Sequence, residues 1–342
     1  MSLWSVLTAG LVAYVAAVVW LNRTAVSDAG PVVLTAQAAS RVLDRSEISV
    51  STWNLGYGGL GAGSDFVADG GARFFPPSRA DVARNIDGIA AIAAELGTDV
   101  MLFQEVADPG PLTLWQPLTA ALRDAVAAPV FWVKPDVATR LLPWPFKLRH
   151  GMVVATDLTP TEGLVTPIAG EPKPMLGLLN RRYGLQTLIT EAENGAQWAL
   201  VNIHLSAFDD GGHLRRRQIG AVFAHAQALH ARGMHVVIGG DWNMQLTETD
   251  FPHQTPDDML FWLHPFPDGA LPAGWTLAID PTTPTSRSLD RPFTPGINYT
   301  TILDGFAVSP NVEVVSVTTR DTGFEMSDHM PVSGRFRARV RK

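Results

Sequence analysis

Apolar residues along this chain fall into three patterns. From Leu3 to Leu21 no residue carries a charge; as a helix at ~1.5 Å per residue this is about 28 Å, close to a bilayer's hydrocarbon thickness. Trp4 and Trp20 sit near the two ends, where amphipathic aromatics favour the headgroup region. Residues 22 to 44 are rich in Ala, Val, Ser and Thr with few charges and read as a spacer. From about Glu47 onward, short β-branched runs of period two alternate with stretches at helical spacing.

ISVSTWNL breaks into YGGLGAG, a strand running into a glycine-rich loop. Between Ser78 and Gly97 the spacing of Val82, Ile86, Ile89 and Ile92 predicts a helix, with Ser78 as N-cap and Gly97 as its stop. DVMLFQEV, GMVVAT, LQTLIT, WALVNIHL and HVVIGGDWN read as strands, and Leu214 to Ala231 as a second helix. There is no internal repeat, no heptad run, and no linker after residue 45. The expectation is residues 1–22 as a transmembrane anchor or signal segment, 23–45 as a spacer, and 46–342 as one α/β domain with a mixed sheet.

A cleavable signal has a basic start and an apolar stretch of roughly 7 to 15 residues. Here the start lacks Lys and Arg and the stretch is longer, so a retained anchor is the reading taken. A signal cleaved after Ala36-Gln37-Ala38 and a buried core helix are the alternatives. Arg23, the one basic residue adjoining the segment, would keep the domain cytoplasmic by the positive-inside rule. An N-terminal apolar segment before a large domain is more often an export device, which favours an extracytoplasmic domain.

Composition narrows the functions. The 342 residues hold 26 Lys plus Arg against 33 Asp plus Glu, a net charge of -7. That argues against a broad cationic face for DNA, while leaving room for a small basic site. With 46% hydrophobic and 17% charged residues the chain can bury a large core. Having no cysteine, it has no disulfide, thiolate nucleophile or Cys-ligated zinc.

The candidate chemistry follows the apolar runs: Asn54 after ISVSTW, Glu105 after VMLFQ, His204 after ALVNI, Asp241 and Asn243 after HVVIGG, and Asp328 with His329 after a short loop. Singly these are a turn residue, a surface acid or a core histidine. Strands packed with their ends together would bring them to one place. Hard carboxylate and amide oxygens suit Mg²⁺ or Mn²⁺, and two histidines and an Asn supply proton transfer and charge stabilisation, a set for hydrolysing a phosphoester. No GxSxG elbow precedes a helix, Ser206 lacks that context, and HExxH and P-loop motifs are absent.

STWNL, LFQEV, VNIHLSA, GGDWNM, ILDGFAVS and SDHMPV, in this order, resemble the endonuclease/exonuclease/phosphatase family, which includes secreted DNases, abasic-site endonucleases, inositol polyphosphate phosphatases and neutral sphingomyelinases. The resemblance covers about residues 46 to 337. It implies a four-layered α/β/β/α sandwich of two mixed, mainly antiparallel sheets. It also implies that Asn54 and Glu105 match metal-binding positions and that Asp328 matches a further position beside the metal. His204 matches a histidine on the scissile phosphate, and Asp241 and Asn243 the pair that orients or deprotonates the attacking water. His329 matches the acid/base histidine, with Asp304 orienting it.

The same residues make physical sense together: a cation on Glu105 would neutralise charge on a phosphoryl oxygen, Asn243 and a protonated His204 would donate hydrogen bonds to it, and Asp304 would raise the imidazole pKa of His329. Arg149-His150-Gly151 and the Asn-Arg-Arg-Tyr run at 180–183 depart from the family's pattern. Arg181 or Arg182 could hold a phosphate in a fork; Arg182 is the residue chosen. Residues 251–300 hold nine of the 25 prolines and seven aromatics, but only Arg287 and Arg291 as bases. This segment suits an apolar rim better than a grip on a polyanion. Arg215, Arg216 and Arg217 read as a solvated face or partners of acids.

The function expected is a metal-dependent hydrolase of a membrane-proximal phosphodiester such as a phospholipid or sphingolipid headgroup. An exported nuclease is the first alternative and a non-catalytic binding module the second. Nothing in the sequence speaks to oligomeric state.

Overall fold

The computed structural model of the protein describes residues 2–25, 29–34, 40–44, 47–143, 145–171, 180–207 and 209–339. The Ala36-Gln37-Ala38 triplet lies outside the described residues. In chain order the elements are α1 (Leu3–Arg23), β1 (Gly30–Val32), β2 (Glu47–Asn54), α2 (Arg79–Leu96), β3 (Val100–Ala107), α3 (Leu118–Val126), β4 (Val130–Ala138) and β5 (Arg149–Thr156). They continue with β6 (Pro160–Pro167), β7 (Gly184–Glu191), β8 (Gln197–His204), α4 (His213–Ala231), β9 (His235–Asp241) and β10 (Thr276–Ala278). The chain ends with β11 (Ser286–Arg287), β12 (Thr300–Thr301), β13 (Asp304–Val308), β14 (Val312–Thr319) and β15 (Val332–Ala338).

The period-two runs sort side chains into layers, because successive strand residues point to opposite faces. In β3, Val100 and Leu102 join the central cluster while Met101 and Phe103 join another under α2 and α3. In β8, Trp198 and Leu200 face the centre, and Ala199, Val201 and Ile203 face Ile219 and Val222 of α4. The sheets have the orders β14-β15-β2-β3-β5-β4 and β1-β6-β7-β8-β9-β13-β10. Only β2 with β3 and β8 with β9 pair in parallel among the pairs described. This is the expected four-layered sandwich of mixed, mainly antiparallel sheets.

α2 starts where Ser78 Oγ accepts from the Asp81 N–H at 3.1 Å and stops at Gly97, whose φ of 57° a glycine adopts without strain. α4 begins at His213, one residue before the expected start. α1 lies outside the sandwich with Leu3, Trp4 and Leu11 more than half exposed and only Val18 and Asn22 buried. It is the one helix among the described residues long and apolar enough to cross a membrane. Residues 23–45, expected as a spacer, are partly built into the domain. β1 pairs with β6, Leu43 is buried in the central core, and Arg41 is paired with Asp99 and Asp157.

Candidate active site

Sheet register brings the strand-end residues together. Parallel pairing sets Asn54 of β2 opposite Gln104, just before Glu105, and His204 of β8 opposite Asp241 of β9. Antiparallel pairing sets Asp304 of β13 opposite Asp241. Ser286 then forms a bridge to His329, carrying the SDH segment over the same edge. Between Phe103 and Val106 the β3 pairing shifts, and Glu105 takes a φ of 54°. Such a bulge re-aims a side chain at the cost of backbone strain. Gly56, two residues after β2, has a φ of 50°, and a Cβ there would lie 2.6 Å from Asp328 Oδ1. The glycine-rich loop is what lets Asp328 approach.

At the floor of the site Asp241 is held on both oxygens. Asn54 Nδ2 donates to Oδ2 at 3.0 Å and Asn243 Nδ2 at 3.2 Å, while the Asn243 N–H donates to Oδ1 at 2.8 Å. Asn54 Oδ1 accepts from the Gly56 N–H at 3.0 Å. His329 Nδ1 donates to Asp304 Oδ2 at 2.7 Å, and its Nε2 lies 3.8 Å from Asp241 Oδ2. Burial opposes charge on His329, but Asp304, Asp241 and Asp328 outweigh it and hold the imidazole pKa well above its ordinary value. The three carboxylates thus favour the protonated ring.

His204 differs from the sequence expectation. Burial and the neighbouring Arg181 push its pKa well below the ordinary histidine value, so it is neutral where a protonated ring was expected. Arg181 Nη2 lies 2.7 Å from His204 Nδ1. The same Nη2 lies 3.3 Å from Nε2; since a guanidinium cannot accept, the nearer nitrogen, Nδ1, is assigned as the acceptor and the proton to Nε2. That N–H faces Asp241 Oδ2 at 3.6 Å and Glu105 Oε1 at 3.7 Å.

Glu105 Oε1 accepts from Tyr57 Oη at 2.8 Å and lies 3.9 Å from Arg181 Nη2. Burial pushes the carboxyl up to about 8, Arg181 opposes this, and Asp328 adds to it. Asp328 is likewise raised by burial, against His329 and Arg287.

The residues fit a divalent cation. Asp69, Glu105, Glu171, Asp241 and Asp328 line a cavity of about 300 Å³ together with the cationic Arg181, Arg287 and His329. The Arg287 guanidinium is spent on the carbonyls of Leu60, Gly61, Ser64 and Ser288. The Oδ1 of Asp304 is buried without a hydrogen bond among the described residues. Hard oxygens in carboxylate excess suit Mg²⁺ or Mn²⁺. Among the described residues Asp241, Asp304 and His329 offer ligand-type atoms within 4.8 Å of one another. Their closeness includes the His329–Asp304 hydrogen bond.

Asn54, Glu105, His204, Asp241, Asn243, Asp328 and His329 all line this cavity, and Asp304 stands directly behind His329. Arg182 does not line it: its Nε donates to the Asp136 carbonyl at 3.2 Å. Successive residues of an extended segment point opposite ways, so Arg181 is the one that faces the cavity, with its guanidinium 4.9 Å over the Tyr183 ring and its Nε buried without a partner among the described residues. Tyr57, His150 and Trp262 also line it and escaped the sequence reading. Tyr57 carried the same strand-end signal as Asn54, and His150 stood in the departure from the family pattern. His150 is held near 3, below the ordinary histidine value, by burial and by Arg181.

Arg215 was expected on a solvated face with its two neighbours. Arg216 and Arg217 are exposed, but Arg215 is buried and donates to the carbonyls of Asn243 and Trp262, pinning the loop after β9. The 251–300 segment mostly packs on the domain, burying Trp275 and Tyr299, while Phe261 stays exposed beside the cavity residue Trp262.

Residues 51–329 match the sequence profile of the Endonuclease/Exonuclease/phosphatase family. No curated protein matches the chain. Among solved structures it is similar to an endonuclease/exonuclease/phosphatase from Beutenbergia cavernae DSM 12333, with 20% identity, 86% of this chain and 72% of that one covered, and a TM-score of 0.56. Truncated TDP2 from Caenorhabditis elegans gives 16% identity, 85% and 98% coverage and a TM-score of 0.52. TDP2 from D. rerio, solved with a single strand DNA product, gives 15% identity, 86% and 100% coverage and a TM-score of 0.50. With the profile spanning most of the chain and the motif residues meeting in one cavity, the chain belongs to the endonuclease/exonuclease/phosphatase family, whose members are generally metal-dependent phosphoesterases and nucleases.

Proposed function

We propose that residues 46–342 form a phosphodiesterase that works beside a membrane, on a phospholipid or sphingolipid headgroup, with α1 as its retained anchor and the domain outside the cytoplasm. The observation that carries the hydrolytic reading is Asp241, fixed by Asn54 and Asn243 next to an imidazolium that Asp304 keeps charged. Glu105, with Asn54 and Asp328 beside it, would hold Mg²⁺ or Mn²⁺, which when bound neutralises charge on a phosphoryl oxygen.

The protein's own groups supply the rest. Asp241 orients the attacking water and accepts its proton; pinning both oxygens removes the rotamer freedom that would misplace it. His329 gives its Nε2 proton to the oxygen that leaves phosphorus, and Asp304 fixes its tautomer. His204 donates its Nε2–H, and Arg181 its charge, to the non-bridging oxygens. Arg181 thus takes the role assigned from sequence to Arg182.

The lipid preference is supported by the wall of the cavity, where Leu60, Phe66, Leu112, Leu148, Trp262 and Leu289 alternate with the polar groups. It is supported also by Asn180, whose Nδ2 donates to the Ala25 carbonyl at 2.7 Å and so ties the end of α1 to the residue before Arg181. The second reading, an exported nuclease, is favoured by the likeness to a TDP2 that was solved with a DNA product.

The test uses the full chain in phospholipid vesicles, with Mg²⁺ and with EDTA, on sphingomyelin, phosphatidylcholine, a phosphorylated inositol and plasmid DNA. Metal-dependent cleavage of a lipid that Asp241→Ala and His329→Ala abolish is the result expected. Cleavage of DNA alone installs the nuclease reading, no cleavage leaves a binding module, and variants as active as the parent overturn the catalytic roles given to Asp241 and His329.

A further inference from the structure

Outside the catalytic cavity, the strongest unassigned feature is the tip of the hairpin joining β4 and β5. Its sequence from 140 to 147 is Arg-Leu-Leu-Pro-Trp-Pro-Phe-Lys, an apolar run between two cations. Leu141 is 54% and Phe146 66% exposed. Single exposed apolar residues are ordinary on a protein surface. These two share one loop, and that loop is fastened to α1. Asn22 Nδ2 donates to the Arg140 carbonyl at 2.9 Å, the Arg140 N–H donates to Asn22 Oδ1 at 2.7 Å, and Tyr14 Oη donates to the Leu141 carbonyl.

We propose that this hairpin tip enters the lipid bilayer beside α1 and seats the mouth of the catalytic cavity at headgroup level. The inference rests on α1 being a membrane span and does not rest on the catalytic assignment. Tyr14 stands seven residues before Leu21, about 10 Å inside the apolar segment at ~1.5 Å per residue. A loop hydrogen-bonded to Tyr14 is carried in with it.

Irregular backbone enters hydrocarbon only where its polar groups are met internally. Several of the tip's described backbone groups are met in this way. Pro143 and Pro145 have no N–H to satisfy, the Phe146 N–H donates to the Pro143 carbonyl at 2.9 Å, and the buried Asn22 amide serves both backbone groups of Arg140. Thr139 closes the base of the hairpin, its N–H donating to Leu148 O at 2.9 Å and its Oγ1 accepting from the Leu148 N–H at 2.8 Å. The exposed Arg140 and Lys147 are placed to meet phosphates at the interface while Leu141 and Phe146 go deeper.

The same hairpin shapes the site. Val137 and Leu148, at its two feet, line the cavity, and Arg181 lines it beside the Asn180 contact with the end of α1. Cavity mouth, helix end and hairpin base thus share one edge of the domain. A bilayer is the occupant this geometry fits, because a membrane-length helix is already joined to the patch.

The chain has no cysteine, so single probes report without background. Full-length Phe146→Cys, Val12→Cys and Ser316→Cys, each labelled with bimane, are reconstituted in phosphatidylcholine vesicles containing spin-labelled lipids. Val12 is exposed on α1, and Ser316 is exposed on β14, at the opposite edge of the six-stranded sheet from β4. Quenching of the Phe146 probe close to that at Val12 and several-fold above that at Ser316 supports insertion. A Phe146 probe quenched no more than Ser316, with Val12 strongly quenched, overturns the proposal and leaves the anchor standing. Weak quenching at both Val12 and Phe146 removes the membrane span and the proposal with it. None of these outcomes depends on hydrolysis.

Discussion

Replacing Asp304 by Asn removes a charge and keeps the shape. The wild-type carboxylate is buried and accepts from His329 Nδ1 at 2.7 Å. A hydrogen bond to a charged group contributes about 1.5–3 kcal/mol, and about 1.4 kcal/mol corresponds to a tenfold change in a proton equilibrium. The imidazole pKa should therefore drop. His329 is raised above its unfolded value of 6.5, so the protonated acid is favoured as pH falls and is lost as pH rises through the folded value. In Asp304→Asn the alkaline limb of kcat/KM should move to lower pH, with the maximal rate reduced by about 10² to 10⁴, the usual span of general acid–base catalysis. The sign for stability follows: the pairing that favours the imidazolium stabilises the fold below that limb, so the stability gap between parent and variant narrows as pH rises through it. The assay is a pH series of kcat/KM at saturating Mg²⁺, alongside the histidine ring resonances by NMR. An alkaline limb in the same place in both proteins would refute the assigned role of the pair.

Three further outcomes are expected. His150 is neutral in the fold, near 3 against 6.5 unfolded, so the unfolded chain takes up a proton first as pH falls and stability declines by about 1.4 kcal/mol per pH unit across that interval; chemical denaturation of His150→Gln should show a shallower decline, and an unchanged slope refutes the burial argument. Gly56→Ala places a methyl 2.6 Å from Asp328 Oδ1 at a φ of 50°, and should lower stability by about 1–3 kcal/mol together with activity, read by thermal unfolding and turnover. Mg²⁺ at about a hundred times its Kd should stabilise the chain by about 2.7 kcal/mol, and Glu105→Gln should erase that gain in a thermal-shift titration with EDTA as control.

Much of the fold was legible because local patterns state it. Ser78 and Gly97 bound α2 through a side-chain cap and a left-handed stop, both properties of the residues themselves. The apolar runs VMLFQEV and WALVNIHL marked strands. The strand-end polar residues were readable too, since a polar group closing an apolar run has to leave the core. Arg181 against Arg182 was not readable, because two adjacent identical residues carry no mark of which one the strand turns inward. The charge state of His204 was likewise hidden: it depends on burial and on Arg181, which arrives from the segment before β7. Composition also misplaced Leu43 and β1, as a low-charge segment looks like a spacer until a sheet edge accepts it.

The sequence by itself determined six of the strands, three of the helices and the kinds of chemical group available, because periodicity, capping and side-chain type act within a few residues. Tertiary structure alone decided which of those groups share a cavity, which are ionised there, and that the β4–β5 tip lies along α1. Those outcomes turn on distances between residues far apart in the chain and on burial, which no local pattern encodes.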